Sequence, residues 1–150
     1  MIDDLYSAKI LKLAANMPGA GRLAAPQGSA TRVAKLCGSR VTVDIALDDQ
    51  GRVSDFAQDV KACALGQASA AVLGAHALGA DLAEIDMARQ ALRAMLQDGG
   101  DPPVGRFSDL AMLEPVKAYP ARHASTLLAF EAAAEAVRAA QSRTSSAGAA

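Results

Sequence analysis

Tryptophan is absent from the sequence, and two tyrosines, three phenylalanines and two cysteines complete the short supply of aromatic and thiol side chains. So few aromatic faces leave little for nucleic-acid bases to stack on. Fifteen lysines and arginines against sixteen acids, a net charge of −1, give no basic excess to hold a phosphate backbone. Nucleic acid is therefore not an expected partner. No apolar run approaches the roughly 20 residues that span a bilayer, so no membrane partner is expected either. The opening MIDDLYSAKI carries two acids where a secretory leader has positive charge, and the expectation is a cytoplasmic protein whose thiols stay reduced. There is no CxxC pair, GxGxxG, P-loop, GxSxG or HExxH, so no familiar enzyme class is indicated.

What is present is enough for one domain: 150 residues, 51% of them hydrophobic, can bury a real core. Ile2, Leu5, Tyr6, Ile10, Leu13 and Met17 place an apolar stripe on a first helix that Pro18 and Gly19 end. A Gly/Pro/Ala loop follows. Val41, Val43, Ile45 and Leu47 alternate with Thr42, Asp44, Ala46 and Asp48, the pattern of a strand with one face buried. Asp48-Asp49-Gln50-Gly51 is turn chemistry, 52–60 reads as an antiparallel return, and 30–36 adds a third strand through Gly38.

Beyond residue 64 the pattern is helical. A small-residue helix spans 64–78, and Asp81 caps an amphipathic helix through Leu82, Ile85, Leu92, Met95 and Leu96. A short helical segment is expected over 107–113, and Pro120 opens the last helix, on which Leu127, Ala134 and Val137 share a face. The expected fold is α+β: a short three-stranded antiparallel sheet with helices packed on one face, forming a single domain over 1–140. Residues 141–150 have little to bury and read as a disordered tail.

Cys37 stands in one turn and Cys63 at a strand-to-helix junction, and an antiparallel hairpin returns its second strand to the end where the first began. The two sulfurs can therefore be neighbours. The first turn of the helix after Cys63 would favour thiolate there, the form that acts as nucleophile and metal ligand, while Gly38 and Gly66 permit close backbone approach. Two inert core cysteines fit the same spacing. Asp44, Asp48, Asp49 and Asp55 read as solvent-facing strand and turn positions, and His76 as an ordinary helix residue.

Taken in order, the Pro/Gly loop "ANMPGAGRL", the turn Cys37-Gly38-Ser39, the hairpin "DDQG", the run "ACALGQASAAVLG" and the segment "PARHASTLLAF" resemble the IscU/SufU/NifU-type iron–sulfur cluster assembly scaffolds. The resemblance extends over residues 5 to 137, and its spacing is nearer the SufU-like branch. "EPVK" at 114–117 is a short match to the chaperone-binding segment of IscU proteins. The resemblance implies a SufE/IscU-like fold and a site built from three cysteines and an aspartate. Here Cys37 and Cys63 occupy two of those positions, Ser39 stands at the aspartate and Ser125 at the third cysteine.

It further implies a scaffold, not an enzyme, binding iron, zinc or a labile [2Fe-2S] cluster through Cys37 and Cys63. A cysteine desulfurase and cluster-acceptor proteins are the implied partners. His123, two residues before Ser125, is a further candidate metal ligand, together with Ser125 and Ser39, and Arg122 is a candidate contact for an anion or a partner's carboxylate. A cluster wanting four ligands could be shared between two chains, which would make a homodimer. The alternative is a degenerate homologue that binds a desulfurase or assembly complex without building clusters. A thiol enzyme using Cys63 as nucleophile lacks a base.

Overall fold

The computed structural model describes residues 8–35 and 38–149, the side chains of 143–149 excepted. Ile2, Leu5, Tyr6 and Cys37 thus lie outside the described residues. Helix α1 (Ala8–Ala15) precedes strands β1 (Gly28–Ala34), β2 (Ser39–Leu47) and β3 (Val53–Lys61). Then come α2 (Ala64–His76), α3 (Leu82–Asp98), a 3₁₀ segment Gly105–Ala118, a 3₁₀ turn Pro120–Arg122 and α4 (His123–Ala149).

The strands form one antiparallel sheet in the order β1-β2-β3. Val41, Val43 and Ile45 of β2 are fully buried beneath α4, which supplies Phe130, Ala133, Ala134 and Val137 to the same core. The expected helices-on-one-face architecture is what the chain adopts. Gly28 is required by it: a Cβ there would stand 2.1 Å from the Ala136 carbonyl oxygen, so β1 meets α4 backbone to backbone. The backbone of α4 continues to Ala149, past residue 140, and Ala140 is the last buried residue among those whose side chains are described.

The other face of the sheet differs from expectation. Asp44, read as solvent-facing, has no exposure, because residues 19–27 cross beneath it. Gly21 N–H donates to the Gln58 carbonyl at the β3 edge, Leu23 N–H to the Asp44 carboxylate, and Gln27 N–H to the Ile45 carbonyl beside β1. A polar residue on a strand's outer face can be buried when hydrogen bonds replace its water. Asp44 has four such bonds: from Arg22 Nε at 2.6 Å and a second Arg22 nitrogen at 3.2 Å, Ser29 Oγ at 2.6 Å and Leu23 N–H at 3.1 Å.

Helix α2 lies along β3, and its far end is tied down. At its far end, Gly79 and Ala80 pair with Val53 through backbone bonds of 2.8 Å. Arg52 and Arg106 donate to the Gly79 carbonyl while both engage the Glu84 carboxylate. His76, expected to be an ordinary helix residue, joins this end through Nε2, 3.1 Å from Asp109 Oδ2. Asp81 caps α3 as expected, in a reciprocal box with Glu84. The segment expected as a short helix over 107–113 is a longer 3₁₀ run, and Pro115 within it removes one amide donor from any α-helical ladder. Among the described residues no helix is long and apolar enough to cross a membrane.

Candidate functional site

Arg40 at the start of β2 pairs with Lys61 at the end of β3. The Gly38 turn and the junction carrying Cys63 therefore lie at one end of the sheet. Gly38 has φ +72°, and its N–H closes the turn on the Ala34 carbonyl at 2.9 Å. Ser39 opens β2 and is 2% exposed, so this candidate site residue is buried.

Cys63 is the N-cap residue of α2, in extended conformation with φ −66° and ψ 171°. Its carbonyl accepts from Gln67 N–H at 2.9 Å, while the Gln67 side chain reaches back to the Ala62 carbonyl at 2.8 Å. The sulfur makes no capping bond to the helix and is a free thiol of intermediate exposure. It therefore remains available to a ligand. Serine or aspartate at such a position would ordinarily be drawn onto the helix amides.

The first turn of α4 faces this thiol. Ser125 Oγ lies 3.5 Å from Cys63 Sγ and 1% of the residue is exposed. Gly66 makes the approach possible: a Cβ at that position would stand 3.1 Å from the Ser125 carbonyl oxygen. Two residues 62 positions apart, both of them site candidates from the sequence, are thus in direct contact.

His123 points elsewhere. It is 8% exposed, more buried than a histidine at a helix start is expected to be, and its Nε2 lies 3.0 Å from the Val116 carbonyl. A carbonyl only accepts, so Nε2 carries the hydrogen and, in the neutral ring, Nδ1 carries the lone pair. His123 is already helical, with φ −62° and ψ −46°, and residues two apart in a helix diverge by about 200°. This explains why Ser125, and not His123, meets Cys63. Arg122 is half-buried, and its carbonyl accepts from Ser125 Oγ at 3.2 Å and Thr126 Oγ1 at 2.7 Å. Sequence reasoning missed Thr126, for which the Ser-Thr pair after the proline is the only signal. Among the described residues, which do not include Cys37, no group of three or more His, Cys, Asp or Glu side chains gathers as a metal site.

The model of the NifU-like N terminal domain matches residues 5–145. No curated protein matches the chain. Among solved structures, the N-terminal part of a nitrogen-fixing NifU-like protein from Brucella abortus is 50% identical, with 94% of this chain and 97% of that one covered and a TM-score of 0.91. A putative iron–sulfur cluster assembly scaffold protein for the SUF system from Fervidobacterium islandicum AW-1 is similar in fold at 21% identity. There the coverage is 90% of this chain and 98% of that one, with a TM-score of 0.81.

Proposed function

The chain belongs to the NifU-like N-terminal domain family, and from that premise we propose that it is a scaffold-like protein of iron–sulfur cluster assembly. Its cargo is iron, zinc or a labile [2Fe-2S] cluster, held by the thiolates of Cys37 and Cys63. The observation that carries this reading is the setting of Cys63: a partly exposed free thiol at the opening of α2, in contact with the α4 residue at the family's third cysteine position. Thiolate suits iron, zinc and iron–sulfur cargo, whereas a serine hydroxyl is a poor ligand for them.

The protein would act as a carrier without turnover, receiving sulfur from a cysteine desulfurase and passing cargo to acceptor proteins. With two thiolates per chain, sharing of a cluster across a homodimer supplies four. A second reading, an interaction protein that engages a desulfurase or assembly complex without building clusters, is favoured by one observation. Serine occupies both remaining family positions, Ser39 and Ser125, and each is buried.

Anaerobic reconstitution with iron and sulfide, followed by metal and sulfide analysis, separates the two. The scaffold reading expects stoichiometric uptake by the wild type and loss of most of it in Cys37→Ala and Cys63→Ala. An empty wild type that still captures a desulfurase would favour the interaction protein. Metal retained by both variants would exclude the two cysteines as ligands.

A further inference from the structure

We infer that Ser125 is a positioning residue for Cys63: its hydroxyl accepts from the free thiol and donates to the sulfur once cargo is bound, without itself ligating metal. This deepens the scaffold reading and rests on it for the loaded state, though not for the free thiol.

The geometry supplies each part. A hydroxyl has one hydrogen and two lone pairs. Ser125 Oγ has two neighbours to serve, Cys63 Sγ at 3.5 Å and the Arg122 carbonyl at 3.2 Å. In the free protein the thiol S–H donates to Ser125, and Ser125 donates to Arg122. A metal-bound sulfur has no hydrogen and can only accept, so the serine proton must turn to it or two sets of lone pairs face each other. Turning leaves the Arg122 carbonyl without the serine, a loss that would be costly in a buried place. It is not costly here, because Thr126 Oγ1 already donates to that carbonyl at 2.7 Å. Ser125 can therefore change direction freely.

The backbone holds the pair at this distance. Gly66 brings the first turn of α2 against the Ser125 carbonyl, with room for no side chain larger than hydrogen unless Ala62 and Ser125 shift. The contact is set by two helix starts packed backbone to backbone, and does not depend on a mobile side chain. Ser125 is also buried, which keeps water from taking its place.

Two measurements test the inference. In the free protein at mildly acidic pH, the infrared S–H stretch assigned to Cys63 by its loss in Cys63→Ala is expected to move to higher frequency in Ser125→Ala. An unmoved band overturns the inference. In the protein loaded with zinc alone, Ser125→Ala is expected to release the metal about tenfold faster, the scale of a lost outer hydrogen bond, with the directly bound atoms unchanged by X-ray absorption. Loss of an oxygen from those bound atoms would make Ser125 a ligand and overturn the inference, as would an unchanged release rate. Thr126→Ala removes no group that touches the sulfur, and is expected to speed release in the same direction by less, since the Ser125 proton is then divided between the sulfur and the Arg122 carbonyl. If wild type takes up neither zinc nor, on anaerobic reconstitution, iron and sulfide, the scaffold reading fails and the infrared band alone decides the role of Ser125.

Discussion

Arg22 and Asp44, separated by 22 positions in the chain, form a forked pair with Nε to Oδ2 at 2.6 Å across the face of the sheet that carries no helices. Arg22 keeps more than half of its side chain in solvent, while that of Asp44 has no exposure. The arginine thus acts as a latch on the loop, and the aspartate as the catch within the sheet.

Asp44 makes stability depend on pH. Burial alone would push its carboxyl up, but the hydrogen bonds from Arg22, Ser29 and Leu23 N–H together outweigh burial and hold it below the ordinary value. A carboxyl depressed in the folded state contributes fully above its unfolded pKa of about 4 and loses that contribution as pH falls through the folded value. Asp44→Asn is expected to cost about 1–3 kcal/mol at neutral pH. Its thermal midpoint should also fall less steeply than that of wild type on acidification below about pH 4, as thermal melts across pH would show.

Gly74 and Pro18 provide a second loop anchor. A Cβ on Gly74 would stand 2.3 Å from the Pro18 carbonyl oxygen and 2.8 Å from Gln58 Nε2, which itself donates to Pro18 and Ala70. Gly74→Ala is expected to cost about 1–3 kcal/mol by overpacking, despite the better helix propensity of alanine. Chemical denaturation is the check, and an equal or higher midpoint would contradict the contact.

At the start of α3 the Asp81–Glu84 box satisfies amides at the helix opening. Asp81→Ala should lower stability by about 1 kcal/mol and, under the proposed scaffold role, leave zinc uptake unchanged. Comparing denaturation midpoints with zinc content tests both halves.

Gly66→Ala should act oppositely to Asp81→Ala. The added methyl falls between Ala62 and the Ser125 carbonyl, so the α2 opening must move away from α4. Zinc release is expected to accelerate more than stability falls, as parallel release kinetics and thermal melts would show.

The sheet was legible in the alternation of Val41, Val43 and Ile45 and in the Asp48–Gly51 turn, because period-two patterning and turn chemistry are local properties. Their neighbour Asp44 was misread as solvent-facing because its burial is decided by Arg22 and Leu23, more than 20 positions upstream, through contacts a strand pattern does not weigh. The small-residue helix after Cys63 and the place of Gly66 could be read, since only close packing calls for such residues. The place of His123 was not legible, because its partner is the Val116 carbonyl, supplied by a 3₁₀ segment with no clear periodicity. The approach of Ser125 to Cys63 spans 62 positions. It was implied by the family resemblance alone and not by any local signal.

Helix α2 is moored at its distal end, where Arg52 and Arg106, both paired with Glu84, converge on the Gly79 carbonyl and the backbone of Val53 clasps Gly79 and Ala80. The sulfur sits at the opposite tip, about 20 Å away along the rod. Under the proposed scaffold role, loading and unloading there would proceed like a berth at the end of a fixed pier: cargo comes and goes while the pilings stay where they are.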